Sequence, residues 1–101
     1  MNKEQIRELI ENINKISDDI QLNQIGNLYK EASLVLPTIQ QFVLALLEYE
    51  IIEQQMALML LTDLVQAIEQ KDEVLLLDTL KYGINSLLCD ILRVMEEEEY
   101  D

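Results

Sequence analysis

Ile6, Leu9, Ile10, Ile13, Ile16 and Ile20 recur three and four residues apart, with Arg7, Glu8, Glu11, Asn12, Asn14 and Lys15 between them. That spacing lines one face of an α-helix and leaves the other face wet. The helix is expected to end near Ser17-Asp18-Asp19, residue types that compete with helical hydrogen bonds and cap a following helix, or else near Asn23. A second helical stretch is read from about Gln21 to Tyr49, with Gly26 near its start and Pro37 inside it. Proline lacks the backbone donor and clashes with the carbonyl four residues back. Apolar spacing continues across it through Leu34, Val35, Leu36, Ile39, Phe42 and Val43, which favours a kinked helix over a stop and restart. A third helix is placed at about Ile52 to Gln70, although no glycine or proline separates it from the second. Lys71-Asp72 supplies a turn and an N-cap for a fourth helix, which carries Leu77, Leu80, Tyr82, Ile84, Leu87, Leu88, Ile91, Leu92 and Met95. It should fray at the four consecutive glutamates, since negative charge opposes the dipole at a helix C-terminus. The pattern predicts an all-α protein, an antiparallel four-helix bundle with a proline-kinked second helix, over 1–95, followed by an acidic C-terminal tail at 96–101.

A bundle helix devotes roughly three positions in seven to its core. From Leu34 to Ile68, large apolar residues take 20 of 35 positions, where that rule gives about 15. The first helix shows no such surplus. The middle of the chain is therefore either contacted on two sides or reserved for another protein. Rotation by about 100° per residue gathers Gln55, Thr62, Asp63, Gln66, Glu69 and Gln70 on one water-facing arc of the third helix. Met59 falls inside this arc, with Met56 and Leu58 at its edges, and methionine is frequent at adaptable binding surfaces. Self-association into a homodimer is one simple way to cover such an excess.

Charge narrows the partners. Seven basic side chains against 20 acidic ones leave −13, which disfavours nucleic acid held by phosphate contacts and anionic membranes alike. No lysine or arginine occurs between Glu31 and Gln70. The start of the chain is charged where a signal peptide needs an apolar stretch, and no apolar run approaches the ~20 residues of a membrane span. A cytoplasmic protein is expected, and the single cysteine, Cys89, calls for no oxidising compartment.

Candidate chemistry is sparse. With no histidine, Ser17, Ser33, Ser86 and Cys89 lack the usual activating base, and Cys89 beside Asp90 reads as a small packing residue with an unactivated thiol. The Glu-x-x-His pattern of carboxylate-bridged metal bundles cannot be written, and Glu50 with Glu53, or Glu96 to Glu99, reads as solvated charge. Neither glycine has a second one nearby to cradle phosphate. No catalytic, cofactor-binding or metal site is expected. Gly83 stands mid-helix, where glycine costs stability, and is read as a notch admitting a neighbour. Asp78 and Tyr82, four apart on one side, are placed within reach of a hydrogen-bonded pair. With Gly83 they read either as a packing notch beside a partly buried tyrosine or as a small recognition groove on the fourth helix. Met56, Met59, Asp78, Tyr82 and Gly83 are the candidate partner-binding residues.

Lys71, Asp72, Val74, Leu75, Leu76, Asp78, Leu80 and Tyr82 follow a pattern of helix, Lys-Asp turn, and helix carrying Val-Leu-(Leu/Ile)-x-Asp-x-Leu-x-Tyr. Over residues 64–88 this resembles a family of small all-helical bacterial proteins of unassigned activity, some of them near motility genes. Gly83 stands where an acidic residue is usual in that family. The resemblance implies a helical, bacterial, intracellular protein. Three functions are carried forward: a non-enzymatic protein-interaction module, expected to be a homodimeric helical bundle; a chaperone or export cofactor for a secreted or flagellar subunit; and an acidic, antitoxin-like inhibitor of a basic partner.

Overall fold

A computed structural model describes residues 2–24 and 26–99, the side chains of Glu98 and Glu99 excepted. The protein is all-helical: about 86% of it is helix, in four helices, with no strand among the described residues. α1 spans Lys3–Gln21, α2 Leu28–Glu48 and α3 Gln54–Gln70. The fourth helix has three parts: α4, Glu73–Leu77; a π-helical segment, Asp78–Ile84; and α5, Asn85–Glu99. Each helix touches the next, and the fourth returns to pack on α1. One core runs through all four, drawing Ile6, Leu9, Ile13 and Ile16 from α1, Ile39, Phe42, Val43 and Leu46 from α2, Leu60 and Leu64 from α3, and Leu76, Leu80, Ile84 and Leu88 from the fourth helix. The molecule measures 44 × 27 × 19 Å.

α1 begins with a reciprocal cap. The Asn2 side-chain oxygen accepts from the Gln5 backbone N–H at 2.9 Å, and the Gln5 side chain accepts from the Asn2 N–H at 2.9 Å. Two of the orphan donors of the first turn are thereby satisfied.

Three helices end in the same way, and none of them uses glycine. Asn23, Glu50 and Lys71 adopt left-handed backbone with φ of 58°, 58° and 53°. In each case the N–H of that residue donates to a carbonyl three residues back, on Ile20, Leu47 and Ile68. The next N–H donates to the carbonyl five back, on Asp19, Leu46 and Ala67. This is the Schellman arrangement, built on residues that pay a steric cost for positive φ.

These ends bear on three expected boundaries. Of the two ends expected for α1 the structure takes the later: the helix runs through Ser17-Asp18-Asp19 to Gln21, with Ser17 buried against the core and the reversal at Asn23. α2 begins at Leu28, well after Gln21. The α2–α3 boundary falls at Tyr49–Glu53, close to the expected break between Tyr49 and Ile52, and Glu50 turns the chain there with neither glycine nor proline. α2 runs unbroken through Pro37. The Lys71-Asp72 turn forms as expected, with the Asp72 carboxylate accepting from the Leu75 N–H at 3.1 Å. Helix continues through 96–99, the first part of the segment expected as a tail. Tyr100 and Asp101, the rest of that segment, lie outside the described residues.

Candidate functional surface

The apolar surplus of the midsection is visible on the surface. Eleven large apolar side chains are exposed among the described residues, and seven of them lie between Leu34 and Met59: Leu34, Leu44, Tyr49, Ile51, Met56, Leu58 and Met59. Leu58 is 66% exposed and Tyr49 76%. Scattered single apolar residues are ordinary on any protein surface; concentration in about a quarter of the chain is not.

Their placement follows from how α3 is turned. A Cβ added at Gly83 would sit 2.9 Å from Leu60 Cδ2. The mid-helix glycine is thus a notch in the fourth helix that receives Leu60. Leu60 fixes the flank of α3 that faces the fourth helix. At about 100° per residue, Met56 lies near that flank, Met59 turns outward from it, and Leu58 falls on the opposite flank, where it is exposed. On α2, Leu44 occupies the outer face, while Val43 and Leu46 are buried. Glu48, Glu50 and Glu53 are exposed around the α2–α3 turn. No ion pair joins any of these three to a lysine or arginine among the described residues.

The remaining candidates divide. Asp78 and Tyr82 are exposed. They share no hydrogen bond among the described residues, and both lie in the π-helical segment. The Lys81 ammonium instead lies 5.6 Å from the centre of the Tyr82 ring. Tyr82 borders a shallow groove of about 410 Å³ with Lys81, Asn85, Ser86, Cys89 and Asp90. Gly83 is occupied by Leu60, so it offers nothing to that groove. Cys89 is exposed, which corrects its reading as a packing residue: Leu88 takes the core position, and one further residue turns the thiol outward.

A second groove, about 560 Å³, lies between α1 and α2. Leu9, Ile16, Leu34 and Val35 supply its apolar lining, and Lys15 and Glu31 close one end. The Lys15 ammonium donates to Glu31 at 2.6 Å and lies 3.5 Å from Asp19. The hydrogen bond to Glu31 is the main cause that raises the Lys15 pKa above its ordinary value. Tyr29, half-buried, has its phenol raised by burial first and by the charges of Glu73 and Asp72 second.

Sequence reasoning singled out Met56 and Met59 but passed over Leu44, Tyr49 and Ile51. The signal for Leu44 was present: it falls on the same outward arc of α2 as Lys30, Pro37, Gln41 and Glu48. Among the described residues, no helix is long and apolar enough to cross a membrane. No family model matches the chain, and neither a curated protein nor a solved structure shows significant similarity to it.

Proposed function

We propose that this chain is a non-enzymatic protein-interaction module, an antiparallel four-helix bundle that docks through the apolar surface of α2 and α3. Three cross-links support the antiparallel arrangement: Arg7 to Glu96 at 2.9 Å, Asn14 to Asn85 at 2.9 Å and Gln21 to Lys81 at 3.5 Å. Partners rise in number along α1 as they fall along the fourth helix. A kink at Pro37 is favoured by the missing N–H, which leaves the Ser33 carbonyl without its helical donor. The Ser33 hydroxyl donates to the Tyr29 carbonyl at 2.8 Å, a side-chain bond of the kind that bends helices.

The observation that carries the functional reading is the exposure of seven large apolar residues between Leu34 and Met59. A homodimer is one way to cover them, at the expense of bringing two sets of Glu48, Glu50 and Glu53 together. The same unpaired acids favour the second reading, an inhibitor or receptor of a basic partner. The export-chaperone reading has the motif over residues 64–88 behind it and no surface feature of its own.

Light scattering across a concentration series, with Nile red as an uncharged probe of apolar surface, tests the proposal. The expected result is either a dimer or a dye-binding monomer, converted by Leu44→Ser/Leu58→Ser to a folded monomer that leaves the dye dark. A wild-type monomer that binds no dye contradicts it.

A further inference from the structure

We infer that the occupant of the α2–α3 face is a basic amphipathic helix of another protein, seated at the end of the bundle that carries the Tyr49–Glu53 turn. This rests on the reading of the chain as an interaction module and names the partner's chemistry. Leu44 lies seven residues before Ile51 and Leu58 seven after it, so the hairpin about that turn brings the two leucines to the same level. Both are exposed, as are Tyr49 and Ile51 at the turn itself. The result is an apolar strip at one end of the molecule, of the kind an amphipathic helix covers with residues three and four apart.

The rim of that strip selects the partner. Glu48, Glu50 and Glu53 stand exposed beside it, and the chain from Ala32 to Gln70 contains no lysine or arginine to neutralise them. A second copy would present the same three carboxylates to this rim, and like charges across an interface are disfavoured. A nucleic acid or an anionic membrane meets the same repulsion. A helix with an apolar stripe flanked by lysine or arginine satisfies both the strip and the rim. The acidic rim also accelerates its encounter at low ionic strength.

The test uses the full chain and two synthetic helical peptides of about five turns, with identical leucine stripes. One has lysine on both flanks and the other glutamate. Fluorescence anisotropy is expected to show the lysine peptide binding and the glutamate peptide failing to bind. Affinity for the lysine peptide should fall at least ~10-fold in Glu48→Gln/Glu50→Gln/Glu53→Gln, and similarly between low and high salt. Leu44→Ser/Leu58→Ser should abolish binding, while Val94→Ser, an exposed apolar residue of the fourth helix, should leave it unchanged. Circular dichroism melting confirms that these surface variants fold. Equal binding of both peptides, or indifference to the triple glutamine variant, overturns the inference but leaves a docking face. Absence of peptide binding, with a dimer abolished by Leu58→Lys, overturns it in favour of a second copy. A dye-negative monomer that binds neither peptide removes this inference and the interaction module together.

Discussion

α1 and the α2–α3 pair are built from similar residues to different ends. Each of the six large apolar residues of α1 is buried or half-buried: Ile6, Leu9, Ile13 and Ile16 fully, Ile10 and Ile20 partly. α1 also has its own cap, its own Schellman end and ion pairs at Arg7 and Lys15. In α2, α3 and the turn between them, burial of Ile39, Val43 and Leu64 is just as complete, yet Leu44, Ile51 and Leu58 face outward without cover. A helix that only stabilises its own bundle stops adding apolar residues when its inner face is full. A segment that goes on adding them has a second surface to supply.

The largest effect that separates the regions is a pair of truncations. Ile13→Ala in α1 is expected to cost about 3 kcal/mol, from lost burial plus a cavity. Leu58→Ser is expected to change stability by less than about 0.5 kcal/mol. Urea denaturation reads both, and a cost at Leu58 approaching that at Ile13 would mean the outer face is packed. Next comes the notch: Gly83→Val should destabilise by about 1–3 kcal/mol through overpacking against Leu60. Leu60→Ala in the same chain should cost less than the two changes measured separately, which a double-mutant cycle would detect. Smaller, and opposite in sign, is Glu50→Gly at the α2–α3 turn. Removing Cβ from a left-handed residue should stabilise by about 0.5–1 kcal/mol. A loss of melting temperature there would show that the Glu50 side chain supports the fold.

The smallest expected effect is alkaline. A phenol whose pKa rises on folding keeps its proton longer in the folded state. The stability it contributes is therefore complete below the ordinary tyrosine value of 10.0 and declines as pH climbs above it. Lys15, raised by Glu31, acts in the same direction and loses its contribution as pH passes its folded value. Thermal melts across that range should fall less steeply in Tyr29→Phe than in wild type.

How much of this was legible depended on which interaction set each feature. The α1 stripe and the Asp72 cap are local, and sequence spacing displayed both. The breaks near Asn23 and after Tyr49 could be placed approximately, but their left-handed termination was not legible, because glycine is the usual sign of it and neither Asn23 nor Glu50 is glycine. Asn23 belongs to a type enriched at positive φ; Glu50 carries no such mark. The surplus between Leu34 and Ile68 could be counted from composition, and its exposure follows from there being only three neighbouring helices to absorb it. The exposure of Leu58 depends on the rotation of α3 that the Leu60–Gly83 contact fixes, whereas Leu44 sits on an outer arc of α2 that spacing alone marks. The π-helical widening at Asp78–Ile84 was equally hidden. It alters the side-chain register around Tyr82, and no residue type announces it.

The most direct test of the docking surface is a backbone amide NMR titration of the folded chain with the lysine-flanked peptide. The expected result is saturable shifts confined to the C-terminal half of α2, the Tyr49–Glu53 turn and the first two turns of α3. Shifts centred on α1 or on the Tyr82 groove, or none at all, would contradict the account.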